Sequence, residues 1–257
     1  MNVMCGGMVK LWLLTYLGLV GNWIISHLVA RGENPAAIRT LDLASPRREL
    51  LDLGVTFVKT NIVDEIAVYD AFTQPWPDSV VDLPLTVFHN AAMIRPEDRH
   101  RAFLSICRKV NVGGTINVLN AAKKAGASCF ISTSSGSICM RCPNFWTAPW
   151  KNTPKHFVQV LSDATEPPKE HDEFFGNYAV SKREAEIIVR EADDIKNNFR
   201  TGCIRPANGI YGVGSETCAT LIGIYLKMGG GPTYVSIPHV LMNFNSCQSR
   251  CASWNPN

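Results

Sequence analysis

Residues 8–42 read MVKLWLLTYLGLVGNWIISHLVARGENPAAIRTLD, and the way this stretch divides decides the fold. Its first half is apolar enough to suit three structures. A secretory signal would use Lys10 as its positive region, yet Gly21-Asn22-Trp23 makes a poor cleavage site. A membrane span would run from Leu11 to Ala30, about 20 residues without a charge, with Asn22, Ser26 and His27 crowded into its second half. The third structure is a buried strand over 8–14, a glycine turn, and a helix over 21–31 whose Ile24, Ile25, Leu28 and Val29 share one face. Residues 32–42 favour the third. Gly32-Glu33-Asn34-Pro35 stops a helix, and residues 37–42 form a short strand ending in an acid, which completes a βαβ unit.

That unit carries part of a dinucleotide signature. Asp42 comes 21 residues after Gly21, close to the ~20 expected of a carboxylate that accepts hydrogen bonds from an adenosine ribose. A carboxylate there would repel a 2′-phosphate, so NAD is favoured over NADP, although Arg47 and Arg48 lie close by. Gly18-Leu19-Val20-Gly21 matches the last four positions of a phosphate-binding turn, where glycine lets the backbone approach a pyrophosphate at a helix N-terminus. The first glycine of the pattern is replaced by Thr15 or Tyr16. An ordinary tight turn is the plainer explanation of this half-motif.

The bulk numbers agree with a globular α/β chain. Its 257 residues are 46% hydrophobic and 18% charged, which excludes disordered, collagen-like and coiled-coil classes. A net charge of only +3, with no basic run, leaves nucleic acid without an electrostatic footprint. Nine cysteines, an odd number, and no Asn-x-Ser/Thr sequon suit a reducing compartment. Cys139 and Cys142 have CxxC spacing, but Cys247 and Cys251 make a poor second half, so unpaired thiols are expected and no metal site.

Alternation continues downstream. Residues 55–59 read as a third strand, 64–72 as a helix and 86–89 as a fourth strand, with Asn90-Ala91-Ala92 after it. A helix through Val110, Val118 and Ala122 ends at Gly126, and 129–132 form a fifth strand. Strands alternating with helices imply a doubly wound parallel sheet of Rossmann-like type, covered on both faces. Ligands bind at the carboxyl ends of such strands, where Gly18, Asp42, Asn61, Ala91 and Ser134 would converge.

The chemical groups come next. Thr133-Ser134-Ser135 ends the fifth strand, and Tyr178-Ala179-Val180-Ser181-Lys182 opens a later helix. A phenol with an ordinary pKa near ~10 exchanges protons poorly at neutral pH unless positive charge stabilises its anion. Lys182, four residues on, faces the same way and is placed to supply that charge while bonding a nicotinamide ribose. Ser135 would then hold a substrate oxygen while Tyr178 moves its proton. Taken one at a time, the serines also suit a plain turn, Tyr178 a packing role and Lys182 a solvated charge. Their order along the fold argues for the chemistry.

These residues resemble the extended short-chain dehydrogenases/reductases, and most closely the 3β-hydroxysteroid dehydrogenase and sterol-4-carboxylate 3-dehydrogenase branch. The likeness is carried by GLVGNWIISHLVARGENPAAIRTLDL (18–43), VFHNAAMIRP (87–96), VNVGGTINVLNAAKKAG (110–126), FISTSSGSI (130–138) and YAVSKREAE (178–186), with RPANGIYG (205–212) behind them. The resemblance implies that Ser135, Tyr178 and Lys182 are catalytic and that Asn111 positions the lysine through a water. It further implies that Gly18, Gly21, Asp42, Ala91, Ser134 and Pro206 line the NAD cofactor together with Tyr178 and Lys182. Asn61 would stand beside the adenine where the family commonly has an acid. The implied reaction is NAD-dependent oxidation of a 3β-hydroxyl on a sterol-like small molecule.

Family members usually run on further than this chain, and its character changes after Phe244 into SCQSRCASWNPN. The expected organisation is therefore a nucleotide-binding domain over 1–212 and an incomplete substrate region over 213–257. Apolar residues such as Ile222, Tyr225 and Leu241 would then be exposed. Three other readings stay open: a sugar-nucleotide epimerase or dehydratase, a non-catalytic nucleotide-binding protein, and a membrane-anchored or secreted protein. A homodimer, and a cytoplasmic or endoplasmic-reticulum membrane-associated location, are compatible with the sequence.

Overall fold

The computed structural model describes residues 9–14, 19–95, 98–143, 150–151, 155–156 and 158–206. The chain divides into two compact units, Met1–Pro206 and Ala207–Asn257, and all described residues belong to the first. Gly18, Thr15 and Tyr16, the 212/213 boundary, and the 213–257 segment with Ile222, Tyr225 and Leu241 lie outside the described residues.

Six described strands form one parallel sheet: β1 (Lys10–Leu14), β2 (Ile38–Asp42), β3 (Thr56–Lys59), β4 (Leu85–His89), β5 (Ala127–Thr133) and β6 (Arg200–Ile204), in the order β3-β2-β1-β4-β5-β6. The order reverses between β1 and β4, and a crevice at the carboxyl ends of the strands opens at such a switch point. Register puts Leu14 of β1 opposite Leu41 of β2 and His89 of β4, and Ser132 of β5 opposite both His89 and Cys203. The strand ends that carry the candidate site therefore finish level with one another.

The decisive stretch is a strand and then the twelve-residue helix α1 (Leu19–Ala30), not a membrane span. Alternation in β1 explains the choice. Trp12 packs into one core with Leu41, Phe72, Val87 and Phe130, while Leu11 and Leu13 enter the opposite core with Ile25, Ile38 and Leu50. A central parallel strand is buried on both faces, so its sequence is apolar throughout and resembles a membrane segment. Among the described residues no helix is long and apolar enough to cross a membrane. Gly32, at φ 93°, closes α1 with its N–H on the Val29 carbonyl, as the Gly-Glu-Asn-Pro stop implies.

Differences from expectation are local. α1 begins at Leu19, so Gly21 lies inside its first turn. The chain then adds a short helix, α2 (Arg48–Asp52), that the sequence did not announce. Helix α3 (Glu65–Thr73) starts one residue late because Asp64 is its cap, accepting from the Ala67 N–H at 3.0 Å. The helix through Val110 is longer than its apolar pattern: α4 (Leu104–Arg108) runs through a π-turn at Lys109–Gly113 into α5 (Gly114–Lys124). Strand β6 escaped the sequence reading because Arg-Thr-Gly-Cys-Ile, a half-exposed edge, has neither an apolar run nor clear alternation.

Arg39 is buried in β2 beside a pair of edge-on indole rings, 3.9 Å from the Trp76 centroid and 5.4 Å from that of Trp12. Its guanidinium donates to the carbonyls of Gln74 (2.8 Å) and Pro75. Cation–π contact plus carbonyl acceptors compensate a charge that has left water.

Candidate active site

Helix α6 (Asn177–Glu191) supplies the chemistry from one stripe. Tyr178, Lys182 and Glu186 are spaced by four, so they fall on one face of a helix that packs on β6 and on the turn at Gly136–Cys139 after β5. The half-buried Tyr178 phenol stands beside the Ser135 side chain, close enough for that side chain to influence its titration. Ser135 is itself fixed, because its hydroxyl accepts from the Ser137 N–H at 3.2 Å and lies 2.8 Å from the Ser137 hydroxyl. Lys182 is buried and donates to the Thr133 carbonyl at 2.5 Å, at the end of β5. The three expected catalytic residues thus meet at one strand exit.

The electrostatics differ from the expected pairing. Burial pushes the Tyr178 phenol above its ordinary value, and the neighbouring Ser135 side chain offsets only part of that. Lys182 is pushed down to about 8 by burial, against the opposing influence of Cys203 and Glu186. The lysine's charge is therefore present but costly, and in this arrangement it does not bring the phenol down.

Asn111 is buried and held by direct contacts. Its side-chain oxygen accepts from the Met93 N–H at 2.7 Å, and its amide donates to the Met93 carbonyl (3.1 Å) and the Ser181 hydroxyl (2.9 Å). Its own carbonyl accepts from Thr115 at 2.6 Å. Asn111 thus reaches the residue beside Lys182, and the contact runs through Ser181. Asn111 lies within the π-turn.

The cofactor candidates occupy the expected strand ends with different partners. Asp42 ends β2, and one carboxylate oxygen accepts from the N–H groups of Leu43 (2.5 Å) and Ala44 (3.2 Å). Asn61 lies just past β3 and caps the Val63 N–H at 3.1 Å. Ala91 is buried just after β4. The Ser134 hydroxyl is turned to Glu186 at 2.6 Å, so it is committed inside the protein. Pro206 accepts from the Gly136 N–H at 2.8 Å, next to Ser135.

Residues 14–244 match the 3-beta hydroxysteroid dehydrogenase/isomerase family. The chain belongs to that family. Among its relatives, 3beta-hydroxysteroid dehydrogenase/Delta(5)-Delta(4) isomerase 1 of Caenorhabditis elegans is 32% identical over 189 residues, covering 74% of this chain and 35% of the relative. The decarboxylating sterol-4-alpha-carboxylate 3-dehydrogenase of Candida albicans is 28% identical over 176 residues, 68% of this chain and 41% of the relative. The matched part of this family member therefore covers well under half the length of those curated relatives. Its fold is also that of a dTDP-glucose 4,6-dehydratase from Streptomyces venezuelae, with TM-score 0.61, 18% identity, and 87% of this chain and 63% of that one covered. The Bordetella bronchiseptica enzyme WbmH, solved with NAD+, gives TM-score 0.60 at 21% identity, covering 86% and 63%.

Several residues of this family member were not singled out by sequence reasoning. Glu186 is buried and gathers Ser134, Arg205 and Arg183. Burial would raise its carboxyl, but the hydrogen bonds from Arg205 and Ser134 and the charges of Arg205 and Arg183 outweigh it and hold the group below the ordinary carboxylate value. His89 ends β4, fully buried, with its Nε2 2.8 Å from the Thr115 hydroxyl. Because Thr115 donates to Asn111, the Nε2 must carry the proton. Burial, reinforced by Lys182, pushes His89 down to about 3, so it is neutral at physiological pH. Glu186 had a visible signal, its i+4 spacing from Lys182; His89 had none beyond its place at a strand end. Cys139 and Cys142 are free thiols, and among the described residues no group of three or more His, Cys, Asp or Glu side chains could hold a metal.

Proposed function

We propose that this chain carries the NAD-dependent oxidoreductase half of a 3β-hydroxysteroid dehydrogenase, with a nucleotide-binding domain over 1–212 and a substrate-region segment from 213 onward. The observation that carries the reading is the half-buried Tyr178 phenol beside the Ser135 side chain, with the buried ammonium of Lys182 one helical turn away on the Thr133 carbonyl, at the carboxyl edge of the sheet. The described residues fit a dinucleotide in three respects. Asp42 ends β2 at the carboxyl edge of the sheet, Gly21 lies in the first turn of α1, and a small residue, Ala91, follows β4. Bound NAD supplies the hydride acceptor. Ser135 Oγ would hold the substrate oxygen, and Tyr178 Oη would take the hydroxyl proton in oxidation and return it in reduction. Lys182 would steady the phenolate and bond the nicotinamide ribose.

The names of the relatives support a steroid or sterol alcohol as the substrate. Such substrates partition into bilayers, which would favour a place beside the endoplasmic-reticulum membrane; vesicle flotation tests it. A homodimer is tested by the solution mass.

The direct test is NADH formation from a 3β-hydroxysteroid by the full chain and by Tyr178→Phe. The variant should lose at least about 100-fold in turnover while binding NAD within about twofold of wild type. Retained turnover in Tyr178→Phe would remove Tyr178 as the proton carrier, and turnover of a UDP-sugar in place of the steroid would reassign the substrate class.

A further inference from the structure

Beyond the ends of β5 and β6 the two chain segments stay joined by two more backbone bonds: Ser134 N–H to the Ile204 carbonyl (2.7 Å) and Gly136 N–H to the Pro206 carbonyl (2.8 Å). Ser135 is the residue between those two tethers. On the helix side of this extension stands Glu186, 2% exposed. One of its carboxylate oxygens accepts from the Ser134 hydroxyl at 2.6 Å and from Arg205 Nε at 3.0 Å; the other accepts from Arg205 Nη2 at 2.6 Å and from Arg183 Nη1 at 3.4 Å. A single carboxylate thus clamps the residue before Ser135 to the residue before Pro206. It does so from the same helical stripe that carries Tyr178 and Lys182.

We propose that Glu186 is a positioning residue, holding the exits of β5 and β6 together through Ser134 and Arg205 so that Ser135 meets the Tyr178 phenol. The proposal rests on the functional reading above for its kinetic consequence, but the clamp itself is independent of that reading. A forked guanidinium on a carboxylate fixes direction as well as distance, which suits a part that sets geometry. A buried ion pair adds little net stability compared with apolar packing, so geometric control is the better account of its presence. Sub-ångström placement of Ser135 matters because hydrogen-bonded catalysis falls steeply with misalignment.

The test combines Glu186→Gln with Ser134→Ala, the latter leaving the Glu186–Arg205 pair intact in case the former folds poorly. Amide hydrogen exchange is followed by mass spectrometry on the full chain without cofactor. In each variant exchange should accelerate at 130–138 and 200–206, with segments of β1, β2 and β4 unchanged. Steroid turnover should fall about tenfold or more in kcat with KM moved less than about threefold. Unchanged exchange at 130–138 in both variants would overturn the proposal. So would acceleration spread evenly over the sheet, which marks a purely structural role. If wild type makes no NADH from the steroid, the functional reading fails alone, because the exchange pattern still decides the role of Glu186.

Discussion

Lys182 is where function and stability pull apart. Its ammonium is buried, and its pKa of about 8 lies below the ordinary 10.5. Between those two values the unfolded chain binds more protons than the folded one, so folding stability contributed by this group rises with pH through that window. Below pH 8 the full penalty stands, up to about 3 kcal/mol from the shift alone. Lys182→Met should therefore raise the denaturation midpoint at pH 7, and the gain should shrink toward nothing by about pH 10.5. Denaturant melts across that range check it, and a loss of stability at pH 7 would contradict it. The same variant should lose turnover, as expected where an active site is built at the expense of stability. The Tyr178 phenol, raised by burial, stays neutral at pH 7 in the folded and the unfolded chain alike and adds no such penalty there.

At the scale of elements, the π-turn and α5 place Asn111 and set how closely the helix lies on the loop after β3. A Cβ at Gly114 would come within 2.6 Å of Ile62 Cδ1 and 2.7 Å of its Cγ1, while Asn117 pins the Ile62 carbonyl at 2.9 Å. Ile62 has little freedom to retreat, so Gly114→Ala should cost about 1–3 kcal/mol through overpacking. Equilibrium unfolding measures it; an unchanged midpoint would show that the loop yields. Elements with strong periodicity were legible in the sequence. β1, α1 and β2 came from apolar patterning and the Gly-Glu-Asn-Pro stop, and Gly126, at φ 73°, ended its helix as expected. β6 was not legible, since its residues are half exposed and its pairing depends on β5. Neither was the π-turn, because the helical repeat of α4 and α5 hides a one-residue bulge.

For the molecule as a whole, the parallel sheet was readable from strand–helix alternation, while its strand order and switch point were not; the places of Ser135 at a strand exit and of Tyr178 and Lys182 on one helix face were readable too. Their four-residue spacing and strand-end position carry three-dimensional information within short segments. The supporting parts were unreadable for the opposite reason. Glu186 acquires its role only when Arg205 and Ser134 arrive from two other elements, and Asn111 only through Ser181. Asp42 was placed correctly at the end of β2, yet its backbone cap on Leu43 and Ala44 is a matter of local geometry. The central claim is that these strand ends form a dinucleotide site, and calorimetric titration of the 257-residue chain with NAD tests it most directly. One NAD should bind per chain, weakened about tenfold or more by Asp42→Asn, which keeps the cap but removes the charge, and nearly untouched by Tyr178→Phe. Absence of binding, or binding indifferent to Asp42, would contradict the account.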